Sequence, residues 1–129
     1  MKRSPALLAF LLAAGCATGP GGKRAMEPKP LRHVVLFKFK DGTTADQVRT
    51  IEEKFGGLKS RIPGIIGYEW GTNVSPEMLD QGFTHCFFVT FPDAAARDAY
   101  LPHPAHKEFV EVLKPHLDKV LVIDYVARD

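Results

Sequence analysis

The sequence predicts one α+β domain of β-α-β-β-α-β order, from about Leu31 to Asp129, on a single four-stranded antiparallel sheet. Three observations carry this. Four segments are rich in β-branched and aromatic residues and alternate with period two. Two intervening regions repeat apolar residues at helical spacing. Gly, Pro and Asp pairs punctuate the boundaries.

Arg32 to Lys40, RHVVLFKFK, is the first strand. One face carries His33, Val35, Phe37 and Phe39; the other carries Arg32, Val34, Leu36, Lys38 and Lys40. Asp41-Gly42 turns the chain. Thr44 with Gln47 forms a capping box, and Asp46 adds negative charge to the first turn of a helix. Val48, Ile51, Phe55, Leu58 and Ile62 make one apolar stripe, interrupted by Gly56-Gly57 and ended by Pro63-Gly64. Ile65 to Asn73 is the second strand, with Tyr68 and Trp70 on one face. A loop follows from Ser75 to Leu79. Phe83 to Phe91 is the third strand, with Phe83, His85, Phe87, Val89 and Phe91 facing one way. After Pro92-Asp93 a short helix runs through Leu101. His103-Pro104 opens another, in which His106, Phe109, Val110, Leu113 and Leu117 share a face. Lys119 to Val126 is the last strand.

That order is ferredoxin-like, with the second helical region split in two. One layer of helices covers one sheet face. The other face holds Val34, Leu36, Cys86 and Phe88, which should not meet water as a patch. Two copies stacking these faces would bury them, so a homodimer closing into an α/β barrel is expected.

Residues 1–30 read differently. Met1 to Gly15 has a positive end, Lys2 and Arg3, and a core of about nine apolar residues, too short to span a bilayer, which needs roughly 20. The run Leu12-Ala13-Ala14-Gly15-Cys16 resembles the bacterial lipoprotein cleavage motif. That resemblance implies removal of residues 1–15 as a signal peptide and lipidation of Cys16. Residues 17–30, rich in Gly and Pro, then form a flexible tether. Ala17 in place of Asp implies the outer membrane, facing the periplasm. The membrane contact is the lipid anchor alone. An ordinary signal peptide cleaved near Ala17 is the alternative.

Without Lys2 and Arg3, 15 of the 17 Lys and Arg remain against 15 Asp and Glu. No basic patch is legible, which argues against nucleic acid. Cys16 and Cys86 lie in segments of different kinds, so no disulfide framework is expected.

Histidine carries the chemistry. Strand parity puts His33 and His85 on the aromatic face, and helical period turns His106 toward the same space, with Tyr100 just before it. Val35, Phe37 and Phe87 would line this space as ligand contacts. An imidazole there can take a proton from a carbon between two carbonyls, making His106 the candidate base. Tyr100 can donate a hydrogen bond to the developing enolate oxygen. His33 and His85 would orient the ligand. The blander reading is that these histidines fix packing and that His103 caps a helix. A zinc site from His103 and His106 lacks completing ligands, so no metal is assigned. No cofactor is implied.

Several segments resemble the stress-responsive dimeric α/β-barrel (Dabb) domain: HVVLFKF at His33–Phe39, Pro63–Gly64, GFTHCFFVTF at Gly82–Phe91, AYLPHPAHKEFV at Ala99–Val110 and VLVIDY at Val120–Tyr125. The resemblance implies a ferredoxin-like monomer that dimerises through its sheet. Many members have no assigned activity, some are stable stress-induced oligomers, and one is a polyketide cyclase using a Tyr and a His in the stretch matching Tyr100 to His106. Related barrels include haem or oxygen-dependent monooxygenases, for which no residue here argues. Three functions follow as expectations: binding of a small, partly apolar or polyketide-like molecule, cofactor-free catalysis, or stress protection without a ligand.

Overall fold

The computed structural model describes residues 28–129. The expected signal peptide, the lipidated Cys16 and most of the tether lie outside them. The elements are β1 (Leu31–Phe39), α1 (Ala45–Arg61), β2 (Gly67–Thr72), β3 (His85–Phe91), α2 (Ala94–Tyr100), α3 (Pro104–Leu113) and β4 (Leu117–Val126), with a 3₁₀ turn at Lys114–His116. The sheet order is β2-β3-β1-β4, every pair antiparallel. This is the ferredoxin-like architecture the sequence predicts.

Helix α1 starts where its capping box says. Gln47 N–H donates to Thr44 Oγ1 at 3.2 Å, and Thr44 N–H donates to Gln47 Oε1 at 2.9 Å. Its stripe of Ile51, Phe55 and Leu58 is buried on the sheet. The helix runs unbroken through Gly56-Gly57. Helix α3 is shorter than its apolar period suggested. It ends at Leu113, and Leu117 is instead the first residue of β4. Pro115 explains the stop: it has no N–H for the Glu111 carbonyl, and its ring would clash there.

Strand parity holds. His33, Val35 and Phe37 of β1, with His85, Phe87, Val89 and Phe91 of β3, are all buried beneath the helices. The opposite face is bare, with Leu121, Ile123 and Tyr125 of β4 beside Val34, Leu36, Cys86 and Phe88. Strand β4 is exposed on both faces, because Val120 and Val122 on its helix side are also half-open. No helix among the described residues is long and apolar enough to cross a membrane.

Candidate functional site

The cross-strand register sorts the helix-facing side chains into rows. Tyr68, Val89, His33 and Asp124 form one row across all four strands. Thr72, His85, Phe37 and Val120 form another. The rows lie four residue steps apart on β1, from His33 to Phe37, roughly 13 Å along the strand.

The first row carries one polar cluster. His33 is 4 % exposed, and its Nδ1–H donates to Asp124 Oδ1 at 2.6 Å. Arg97 of α2 donates Nη1–H to the other carboxylate oxygen at 2.6 Å and Nε–H to Asp98 at 2.9 Å. Burial pushes the Asp124 carboxyl up, but the hydrogen bonds from Arg97 and His33 outweigh it and hold it below the ordinary range. The Tyr100 ring lies edge-on to His33, centroids 5.7 Å apart, and 4.3 Å from the His106 ring. His106 Nδ1–H donates to the Leu101 carbonyl at 2.9 Å. A carbonyl only accepts, so Nδ1 holds the proton and Nε2 carries the lone pair.

The charge states suit proton transfer. Burial lowers the His106 pKa, opposed by the Leu101 bond and aided by His33 and His103. A neutral imidazole at pH 7 is thus available as a base. Burial raises the Tyr100 pKa, with Tyr68 adding to the effect, so the phenol stays protonated as a donor.

His85 does not join this cluster, which corrects the expectation that three imidazoles meet in one space. Its Nε2–H donates to Glu52 Oε1 of α1 at 2.9 Å, and its Nδ1 pairs with the Thr84 hydroxyl at 2.8 Å. Trp70 stacks on it, and Phe39 meets it edge-on. Packing fills the gap between the two histidines. Val35, Phe37 and Phe87 are buried core residues, with Phe87 stacked on Phe55 at 4.3 Å. Parity gives the face of a strand but not the row, so it could not separate His33 from His85.

His103 caps α3, its Nδ1 accepting from Ala105 N–H at 3.1 Å. The way to His106 is from outside. A groove of about 280 Å³ is lined by Leu101, His106, Lys107, Val110, Glu111 and Lys114. Sequence reasoning passed over Asp124, Glu52 and Arg97. An acid inside the apolar run VLVIDY is a usable signal for Asp124. Nothing local marks Arg97 or Glu52, whose partners come from distant elements.

Comparison with known proteins adds the lineage. The stress responsive A/B barrel domain family matches residues 31–127. The stress-response A/B barrel domain-containing protein HS1 of Arabidopsis thaliana is 42% identical over 96 residues, 74% of this chain and 88% of the relative. Olivetolic acid cyclase of Cannabis sativa is 32% identical over 98 residues, 76% of this chain and 97% of the relative. Among solved structures, the hydroxynitrile lyase of Passiflora edulis superposes with a TM-score of 0.72 at 28% identity, covering 79% of this chain and 96% of that one. A dimeric ferredoxin-like protein of unknown function from Jannaschia sp. gives 0.67 at 27% identity, covering 76% and 99%. The chain therefore belongs to the stress responsive A/B barrel domain (Dabb) family.

Proposed function

We propose that this protein binds a small, partly apolar carbonyl compound at Tyr100 and His106, with His33 oriented beside them by Asp124. The observation that carries the reading is the His106 Nδ1–H bond to Leu101, which commits Nε2 as a lone pair next to a protonated phenol. Leu101 and Val110 give the groove that His106 lines its apolar surface. That a cyclase and a lyase are among the relatives favours proton transfer on the bound molecule, without a cofactor. In this scheme His106 takes a proton from carbon and Tyr100 hydrogen-bonds the enolate oxygen.

The unit is a homodimer joined through the bare sheet face, as the apolar surface there and the dimeric relatives support. It is exported and lipid-anchored at Cys16 to the outer membrane, facing the periplasm, as the N-terminal motif supports. Cys16→Ser tests the anchor: the protein should leave the membrane fraction.

The dense core between His33 and His85 favours a second reading, a stable protective protein with no ligand. Acetylacetone, followed through the ultraviolet band of its enol, separates the two. On the binding reading the wild type perturbs that band, and His106→Ala and Tyr100→Phe lose the effect while remaining folded. Variants that change only the melting temperature would favour the structural reading.

A further inference from the structure

Among the described residues, the Tyr68 hydroxyl is the buried side-chain polar atom without a hydrogen-bond partner. A buried hydroxyl left unpaired is costly, and a phenylalanine would fill the same volume without that cost. Its position is not incidental. Tyr68 stands in the same cross-sheet row as His33 and Asp124, separated from His33 only by Val89. Two strand spacings put the Tyr68 and His33 backbones roughly 10 Å apart. The ring stacks on Phe55, centroids 5.7 Å apart. Above it stands Gly56 of α1. A methyl group at Gly56 would lie 3.6 Å from the ring edge and 3.8 Å from the hydroxyl, ordinary contact distances, so the glycine leaves methyl-sized space against the phenol. Burial, with Glu52 nearby, pushes the Tyr68 pKa up to about 12, which keeps the hydroxyl a donor at any physiological pH.

We infer that Tyr68 is a ligand-positioning residue, donating its hydroxyl to a second oxygen of the molecule bound at Tyr100 and His106. The inference rests on the proposed binding function. It adds that the ligand carries two oxygen functions, one toward Tyr100 and one toward Tyr68. A molecule with one oxygen would leave the Tyr68 hydroxyl unpaired.

The test compares acetylacetone with pentan-2-one, which has the same carbon count but one oxygen, by calorimetry on the full-length protein. The wild type should bind the diketone more tightly. Tyr68→Phe should bind it about tenfold more weakly, one hydrogen bond's worth, and lose most of the preference over the monoketone. Its melting temperature should be unchanged or higher. Gly56→Ala, which fills the space against the hydroxyl, should weaken binding while strengthening the helix, and it serves as the test if Tyr68→Phe does not fold. Full diketone affinity in Tyr68→Phe, with the His106→Ala loss intact, overturns this inference and leaves the binding function standing. A folded wild type that binds neither ketone removes both.

Discussion

Asp124→Asn probes the cluster most directly, because one carboxylate serves two cationic or cation-forming partners. His33 is 4 % exposed and donates to one oxygen at 2.6 Å; Arg97 donates to the other at 2.6 Å. A hydrogen bond to a charged group contributes about 1.5–3 kcal/mol. The Arg97 half is exposed and screened by solvent, so the His33 half carries the loss. Asparagine keeps an acceptor but no charge, so the net loss should be about 2 kcal/mol. For a domain of this size that is a fall of roughly 10 °C in melting temperature. The assay is urea unfolding of wild type and variant at neutral pH and again in acid. The folded Asp124 pKa lies below its unfolded value, so its contribution is whole above the unfolded carboxylate pKa of about 3.9 and disappears as pH falls through the folded value. The gap between the proteins should therefore close on acidification. A neutral-pH gap under about 0.5 kcal/mol, or one that persists unchanged in acid, would refute the shared-carboxylate account.

Three further outcomes are expected. Gly57→Ala should raise stability by about 1 kcal/mol in urea unfolding, because nothing lies within 4 Å of the added methyl and the helix gains a better former. Leu121→Glu, on the bare sheet face, should shift the protein to monomer in analytical ultracentrifugation with its far-ultraviolet circular dichroism intact; an unchanged dimer would place the interface elsewhere. His106 should titrate below the ordinary histidine value of about 6.5 by proton NMR. Its folded pKa is the lower one, so the unfolded chain takes the proton first. Its stabilising contribution is full above about pH 6.5 and declines as pH falls through that value toward the folded pKa.

The fold was legible because its signals are local and redundant. The Thr44–Gln47 box sets the start of α1, and alternation sets the buried face of β1 and β3. The candidate site was legible only in part. Tyr100 and His106 come together because only five residues of chain lie between them, across one helix break. His33 joins them through the register β1 forms with its neighbours, which depends on turns and bulges that no periodicity encodes. His85 shares its face but lies in another row. Leu117 continues the apolar spacing of α3, but Pro115 ends the helix before it. The charged partners of the histidines, Glu52 on α1 and Arg97 on α2, lie far away in sequence and are defined by packing alone.

The split between α2 and α3 gives the site its chemistry. In an unbroken helix the Leu101 carbonyl would accept the Ala105 N–H four residues on. Here that N–H is taken by the His103 side chain at 3.1 Å. Pro104 contributes no N–H of its own and is tolerated because it stands at the first position of α3. The carbonyl at the end of α2 is therefore left open, as the last carbonyls of any helix are. His106 fills it with Nδ1–H at 2.9 Å, which selects the ring's tautomer and turns Nε2 into the free lone pair. The stretch from His103 to His106 thus acts as one device: the first histidine caps the new helix, the proline starts it, and the carbonyl they release holds the second histidine in one tautomer beside Tyr100. Replacing His103 with a residue that cannot cap would return the Ala105 N–H to Leu101 or leave it unpaired, and in the first case His106 loses the bond that fixes its proton. His103 would then control the tautomer of His106 through the Leu101 carbonyl.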